Sequence, residues 1–158
     1  MKASDLERLT FSPFHTSRII HYFLSGVKSV NEDSIKIELI YIVLPFIYSK
    51  KILSKLKNLN KTSKFSAFID NNDFNVFISS LNDKIKNYRK VTNNAIILLS
   101  NEIELKIDDF LKTEIDIHFS NERDIHLKPI YKSAYNLGVI LGKEEYLTVF
   151  KKLNIIEL

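Results

Sequence analysis

Apolar residues recur at helical spacing along most of the chain, and this pattern predicts a mainly α fold. Ser12 and Pro13 are predicted to open the first helix, and Gly26 lies where its C-terminal cap is expected. The block 35–48 is apolar on nearly all sides, which places it at the centre of the fold. Pro45 predicts a kink or break within that block.

Shorter helical patterns follow this central block. A stripe of leucines backed by lysines continues it to residue 59. Thr62 or Ser63 is predicted to cap a short aromatic helix, because their hydroxyls can accept a hydrogen bond from a backbone N–H. After a polar turn, Asp73 is predicted to cap the next helix.

The stretch 73–101 allows two interpretations. Its apolar positions alternate by four and three, a spacing that one coiled-coil-like helix satisfies. Thr92 and the two asparagines after it, however, suit an N-cap better than a helix interior. We therefore favour two helices, 73–90 and 93–101.

The hydrophobic period changes to two between residues 103 and 119. Two alternating runs, 103–107 and 115–119, surround a polar turn that contains Asp108 and Asp109, and they predict a β-hairpin. Together with the preceding helices, this segment outlines a winged helix-turn-helix. The expected fold is a compact, mainly helical domain with that motif and one β-hairpin.

The chain of 158 residues fits a single domain. We divide it into N-terminal helices over 1–60 and a winged-helix-like part with terminal helices over 61–158. The terminal helices are expected at 129–141 and 144–153, with Gly142 between them.

Charge is distributed unevenly, although the formal net charge is only +4. Either the two charged segments meet different partners, or both are solvated faces. The residues predicted to contact phosphate or a partner are Lys50, Lys51, Lys55, Lys57, Lys61 and Lys64. The predicted partner-facing acidic hairpin consists of Glu104, Asp108, Asp109, Glu114 and Asp116.

No constellation of catalytic residues is visible. The chain has no cysteine and three glycines, which excludes thiol catalysis and a glycine-rich phosphate loop. His118 and His126 flank Glu122 and Asp124, but their spacing matches no metal motif, so we expect solvated polar residues there. We predict no catalytic, cofactor-binding or metal-binding residue. The apolar run 39–48 is too short for a membrane span, so a cytoplasmic protein is expected.

Four blocks of residues occur in an order that resembles a known family. They are Ser12-Pro13-Phe14 before an apolar helix, Val43-Leu44-Pro45-Phe46 with its basic continuation, the aromatic segment 62–68, and Ala134, Leu137 and Gly138 followed by Leu153-Asn154. In this order they resemble the middle component of bacterial three-component ABC systems, the group that includes the small subunit of Lamassu antiphage defence. Ser12 replaces the family's Asn. Asn154 replaces its Gly, a mild change because Asn also adopts the left-handed conformation.

That resemblance implies a non-catalytic adaptor in an antiphage or anti-plasmid complex. Its implied partners are an SMC-type ABC ATPase that senses DNA and an effector nuclease. The resemblance implies no cofactor, no membrane, no small-molecule substrate, and DNA contact that is at most indirect or non-specific. The alternative is a winged-helix DNA-binding regulator. The acidic hairpin, which phosphate would repel, and a second helix without lysine or arginine argue against it.

Overall fold

The computed structural model of the protein describes residues 11–32, 34–70 and 72–156. Within these ranges the chain is mainly helical with a small antiparallel sheet, as predicted. The α-helices are α1 (Pro13–Lys28), α2 (Val43–Ile47), α3 (Lys50–Leu56), α4 (Phe65–Ile69), α5 (Asn72–Ser79), α6 (Leu81–Glu102), α7 (Leu127–Gly142) and α8 (Tyr146–Leu153). The strands are β1 (Ile35–Lys36), β2 (Leu105–Ile107) and β3 (Phe110–Thr113), and 3-10 turns span Ile37–Ile42 and Phe119–Asn121.

Helices α1 and α7 pack with their backbones almost in contact. A methyl group placed on Gly26 would lie 2.0 Å from the carbonyl oxygen of Tyr135, and one on Gly138 would lie 2.0 Å from that of Phe23. Only glycine allows two backbones to approach so closely. The pair of glycines therefore determines how near the two helices lie to each other.

The prediction that Gly26 caps α1 was wrong, because Gly26 lies within the close contact between α1 and α7. The helix continues two residues beyond it to Lys28, and Gly26 is buried against α7. Gly142 is the last residue of α7, and a methyl group on it would meet Val27 and Val30. All three glycines of the chain thus lie where α7 meets α1 and the residues that follow α1.

The central block is buried as predicted, but its backbone differs from the predicted helix. Ile35–Lys36 is a strand because it pairs with β3, and Ile37–Ile42 is a 3-10 turn. Pro45 lies in the first turn of α2, where a missing N–H loses no hydrogen bond, and it does not break the helix. The change from 3-10 to α geometry occurs at Val43 instead.

Helix α6 is continuous through Thr92, so the favoured division into two helices was wrong. Thr92, Ala95 and Leu99 are all buried on one side of α6. Their packing outweighs the weak helix preference of the Thr-Asn-Asn segment. The break lies at Ser80, between α5 and α6. The predicted second helix of the winged motif is consequently the C-terminal half of α6.

Two predicted caps also lie elsewhere. Lys64, not Thr62 or Ser63, precedes α4, and the side chain of Asn60 accepts hydrogen bonds from Thr62 and Ser63 to close the turn before it. Asp73 lies inside the first turn of α5. The hydroxyls of Thr62 and Ser63 thus take part in a local turn, and the carboxylate of Asp73 takes part in an ion pair, instead of capping a helix.

The sheet has the order β1-β3-β2, with Ile35 opposite Leu111 and Lys106 opposite Lys112. The turn at Asp108 is where it was predicted, and its carboxylate accepts a hydrogen bond from the N–H of Phe110 at 2.7 Å. This tight turn places the second strand at Phe110–Thr113, not at 115–119 as predicted.

Residues 115–117 instead lie alongside α1. The Ile115 carbonyl lies 2.7 Å from Nε2 of His21, and the Ser25 hydroxyl accepts a hydrogen bond from the N–H of Ile117 at 3.1 Å. His21 is buried, and this burial lowers its pKa against the opposing effect of the Ile115 carbonyl. The segment after the hairpin is thus attached to α1 by polar groups.

The terminal helices lie close to their predicted positions. The carboxylate of Asp124 accepts hydrogen bonds from the N–H groups of His126 and Leu127, so α7 begins two residues earlier than predicted. Asn154 ends α8 in the left-handed conformation, with φ of 51°. None of the described helices is long and apolar enough to cross a membrane.

Replacing Gly138 by Ala should force α1 and α7 apart, because the new methyl group would meet backbone and not a flexible side chain. We expect a loss of about 3 kcal/mol or more in the free energy of unfolding, at the upper end for an overpacked core. Urea unfolding measures it. Gly142→Ala is the matched control, since its methyl group would meet a valine side chain at 2.9 Å and the backbone of Val27 no closer than 3.2 Å, and it should cost clearly less than Gly138→Ala. Equal losses of stability in both variants would contradict the role of Gly138 in the close packing of α1 and α7.

The protein should lose stability as the pH falls below about 6.5, the ordinary pKa of histidine. The folded-state pKa values of His21 and His15 are both lowered by burial, so the unfolded chain takes up protons first. Urea unfolding at pH 7.5 and 5.5 measures this loss. His21→Gln keeps an N–H donor and should show a smaller loss than wild type. Identical losses in both proteins would refute the role of His21.

Candidate partner-binding surfaces

The six lysines predicted to contact a partner lie on α3 and on the chain that leads to α4. Two of them are already paired. Lys55 and Lys51 converge on Asp73 of α5, with Nζ–carboxylate distances of 3.2 Å and 3.4 Å. Their hydrogen bonds and charges lower the pKa of Asp73. These two lysines therefore connect α3 to α5, and this interaction occupies them.

The other four lysines are exposed and make no ion pair or side-chain hydrogen bond within the described part of the chain. We call them the unpaired lysines: Lys50, Lys57, Lys61 and Lys64. Lys57 follows Lys50 by seven residues, so both project from the same side of α3. The backbone that carries Lys61 is attached to the end of α7, where Lys143 donates hydrogen bonds to the carbonyls of Lys61 and Ser63. This loop is thereby held in place.

The acidic hairpin carries less negative charge than its sequence indicates, because lysines from α1, β1 and β2 reach its acids. Three of the five acids are paired, Asp109 with Lys36 at 3.9 Å, Glu114 with Lys106 at 2.8 Å, and Asp116 with Lys28 at 3.0 Å. The pairing raises the pKa of Lys106 and lowers that of Glu114. All these pairs are at least partly exposed, so each contributes little stability.

The outer face of the sheet is mixed in character. Lys36 lies opposite Phe110 on the neighbouring strand, and its Nζ is 4.4 Å from the centre of the Phe110 ring. Asp108 closes the turn, and Glu104 lies just before β2 and is exposed. The structure thus presents the acids of the predicted hairpin beside lysines and one aromatic ring.

The histidines and acids considered as a metal cluster are used locally. His118 accepts a hydrogen bond from the N–H of Ser120, and the carboxylate of Glu122 accepts one from Asp124. Asp124 in turn caps α7. Within the described residues no group of three histidine or acidic side chains is arranged to hold a metal ion.

A groove that the sequence did not reveal lies beside α3. It has a volume of about 790 Å³ and is lined by parts of α1, α2, α3, α6 and α7. Its aromatic wall consists of Phe11, Tyr48 and Tyr88, whose ring centres are 5.2 to 5.6 Å apart. Burial raises the pKa of both tyrosines. We call this feature the aromatic groove.

The rest of the aromatic groove is apolar with a few basic groups. Its other apolar residues are Ile47, Leu53, Leu127 and Ile130, and its basic groups are Lys50, His15 and His126. No described aspartate or glutamate lines it. Because its residues come from five helices, no periodic pattern in the sequence indicates it. The one hint was that Tyr48 and Tyr88 each occupy a helical apolar position.

Comparison with known proteins adds a family match over almost the whole chain. The family model described as middle component 3 of ABC-three component (ABC-3C) systems matches residues 1–156. No curated protein and no solved structure matches the chain significantly. The matched range includes the unpaired lysines, the acidic hairpin and the aromatic groove.

Proposed function

Because the chain belongs to the middle component 3 family of ABC-three component systems, we propose that it is the non-catalytic adaptor of such a system. In this proposal it joins an SMC-type ABC ATPase, which senses foreign or broken DNA, to an effector nuclease. The complex acts in the cytoplasm against phage or plasmids, as Lamassu-type systems do, and this chain contributes one domain to it. The family match over residues 1–156 is the observation that carries the proposal.

The distribution of surface features supports an adaptor. A protein that joins two partners needs two contact surfaces, and the unpaired lysines and the acidic hairpin lie on different elements. Complementary charge orients partners and selects among them. Affinity requires apolar contact as well, because exposed ion pairs contribute little. The aromatic groove beside Lys50 supplies apolar surface next to the unpaired lysines.

The local roles of the titratable groups support a non-catalytic function. Asp73, Glu114 and Asp116 are held by lysines, and Asp124 caps a helix. A general base or nucleophile needs a neighbour that activates it and room for a substrate. These carboxylates are engaged in structure instead.

A winged-helix DNA-binding regulator is the alternative, and the unpaired lysines are the observation that favours it. They suit non-specific contacts to phosphate. The C-terminal half of α6, from residue 94 to Glu102, has no lysine or arginine with which to contact base edges in the major groove. We therefore propose that any DNA contact in this system is indirect or non-specific.

The adaptor should form a stoichiometric complex with the other two components. Co-expression of all three, with an affinity tag on the ATPase, should yield one size-exclusion peak that contains this 18.4 kDa chain at constant ratio across the peak. Complementary charge and apolar contact would hold it there. The control is the tagged ATPase expressed with an unrelated basic protein of similar size. Elution of this chain alone, with the other two components together, would refute the adaptor.

Isolated chain should bind DNA weakly and without sequence preference. If the four unpaired lysines each contact one phosphate, the affinity should fall roughly 100-fold between 50 and 200 mM salt. Fluorescence anisotropy with two duplexes of unrelated sequence measures both properties, and Lys50→Glu/Lys57→Glu should reduce the salt dependence. A salt-tolerant complex with only one of the duplexes would instead support the DNA-binding regulator.

A further inference from the structure

The aromatic groove has the size and lining of a binding site. Its volume of about 790 Å³ lies within the range of 300–1,000 Å³ that is usual for ligand-binding clefts. Tyr48, Tyr88, Leu127 and Ile130 are only partly buried, so part of the apolar wall of the groove is exposed to solvent. An apolar cleft of this size with a few polar groups at its edge is the usual form of a binding site.

The charge at the rim of the aromatic groove indicates the charge of its occupant. Leu53 projects into the groove from α3, and Lys50 lies in the groove itself. Lys57 lies about 10 Å further along the same side of α3, given the rise of a helix. Neither lysine has an acidic partner within the described residues, and no described acid lines the groove. An occupant with carboxylates at its edge would complement this rim.

The elements around the groove indicate the backbone form of the occupant. Helices and Phe11 line it, and none of the described strands does, so it offers no strand edge with free backbone N–H and C=O groups. An extended peptide would leave its own backbone groups unpaired against apolar side chains. A helix satisfies its backbone internally and presents apolar residues every three or four positions.

We propose that the aromatic groove and the unpaired lysines beside it bind an amphipathic helix of a partner subunit. That helix carries aromatic or aliphatic residues on one face and aspartate or glutamate along the edge of that face. The apolar residues enter between Tyr48, Leu53 and Ile130, and the carboxylates meet Lys50 and Lys57. This inference rests on the proposed function, since an adaptor has such partner subunits.

Affinity measurements with the two other purified components test the proposal. Ile130→Glu places a charge in the groove, and Lys50→Glu/Lys57→Glu reverses its rim. Each should weaken binding of one component at least tenfold. The loss from the lysine variant should shrink at high salt, because it removes exposed charge pairs, whereas the loss from Ile130→Glu should persist. Matched controls are Ile156→Glu and Lys90→Glu/Lys151→Glu, which make the same chemical changes at exposed positions elsewhere and should bind within twofold of wild type.

A labelling experiment keeps the test informative if Ile130→Glu fails to fold. The chain has no cysteine, so Lys50→Cys can carry a single polarity-sensitive fluorophore. Its emission should shift to shorter wavelength when the bound component is added. The same label at Lys151→Cys, on α8, should not respond.

The possible failures are distinguishable. If wild type binds a component and both groove variants bind equally well, the groove proposal is wrong while the adaptor remains. If wild type binds neither component, the proposed function itself fails, and the groove proposal with it. Loss of duplex binding in the lysine variant, with partner binding intact, would assign the lysines to phosphate.

Two other occupants would also overturn the proposal. Self-association of the purified chain that Ile130→Glu abolishes, with partner binding intact, would identify a second copy of this chain. A shift in the emission of the labelled Lys50→Cys variant on deletion of residues 1–10, with no response to either component, would identify the chain's own N-terminal segment.

Discussion

The close approach of α1 and α7 positions the other elements of the fold. Gly26 and Gly138 allow each helix to contact the backbone of the other, at positions where any side chain would collide with a carbonyl group. The rings of Tyr22 and Tyr131 then stack across the same helix pair, with their centres 4.6 Å apart. Near the start of α1, His15 contacts the Tyr131 hydroxyl, which aligns the two helices beside the aromatic groove.

Helix α7 also holds the end of α3, the helix that begins at Lys50, through hydrogen bonds. Asn136 is buried, and its side-chain amide donates hydrogen bonds to the carbonyls of Leu56 and Leu59 at 2.9 Å and 3.0 Å. These carbonyls belong to the end of α3 and the chain just after it, where the regular hydrogen bonds of the helix end. The position of Lys50 and Lys57 relative to the groove therefore follows from the packing of α7 on α1. The packing of the core therefore also determines the geometry of the proposed binding surface.

Much of the fold was predictable because burial follows from composition. The block around Leu44 is apolar on every side, and no arrangement of the chain could leave it in water without a large loss of hydrophobic free energy. What was mispredicted depends on contacts between distant residues. Ile35 is a strand only because Leu111 lies opposite it, and Thr92 stays helical because its side of α6 is buried.

The candidate surfaces, like the fold, could be predicted only where they do not depend on contacts between distant residues. The lysines were correctly seen as a run without an intervening acid, but the sequence could not show that Asp73 of α5 would pair with two of them. It likewise could not show that Lys28 and Lys36 would reach the acids of the hairpin. The aromatic groove has no sequence pattern at all, since it exists only where five helices meet.

A bridging experiment shows whether this chain joins the ATPase to the effector. Immobilised ATPase of the same three-component system is incubated with its effector, with and without this chain, and the retained effector is quantified. We expect the effector to be retained only when this chain is present, in proportion to the chain bound. Equal retention of the effector in its absence would contradict the role of this protein as the adaptor.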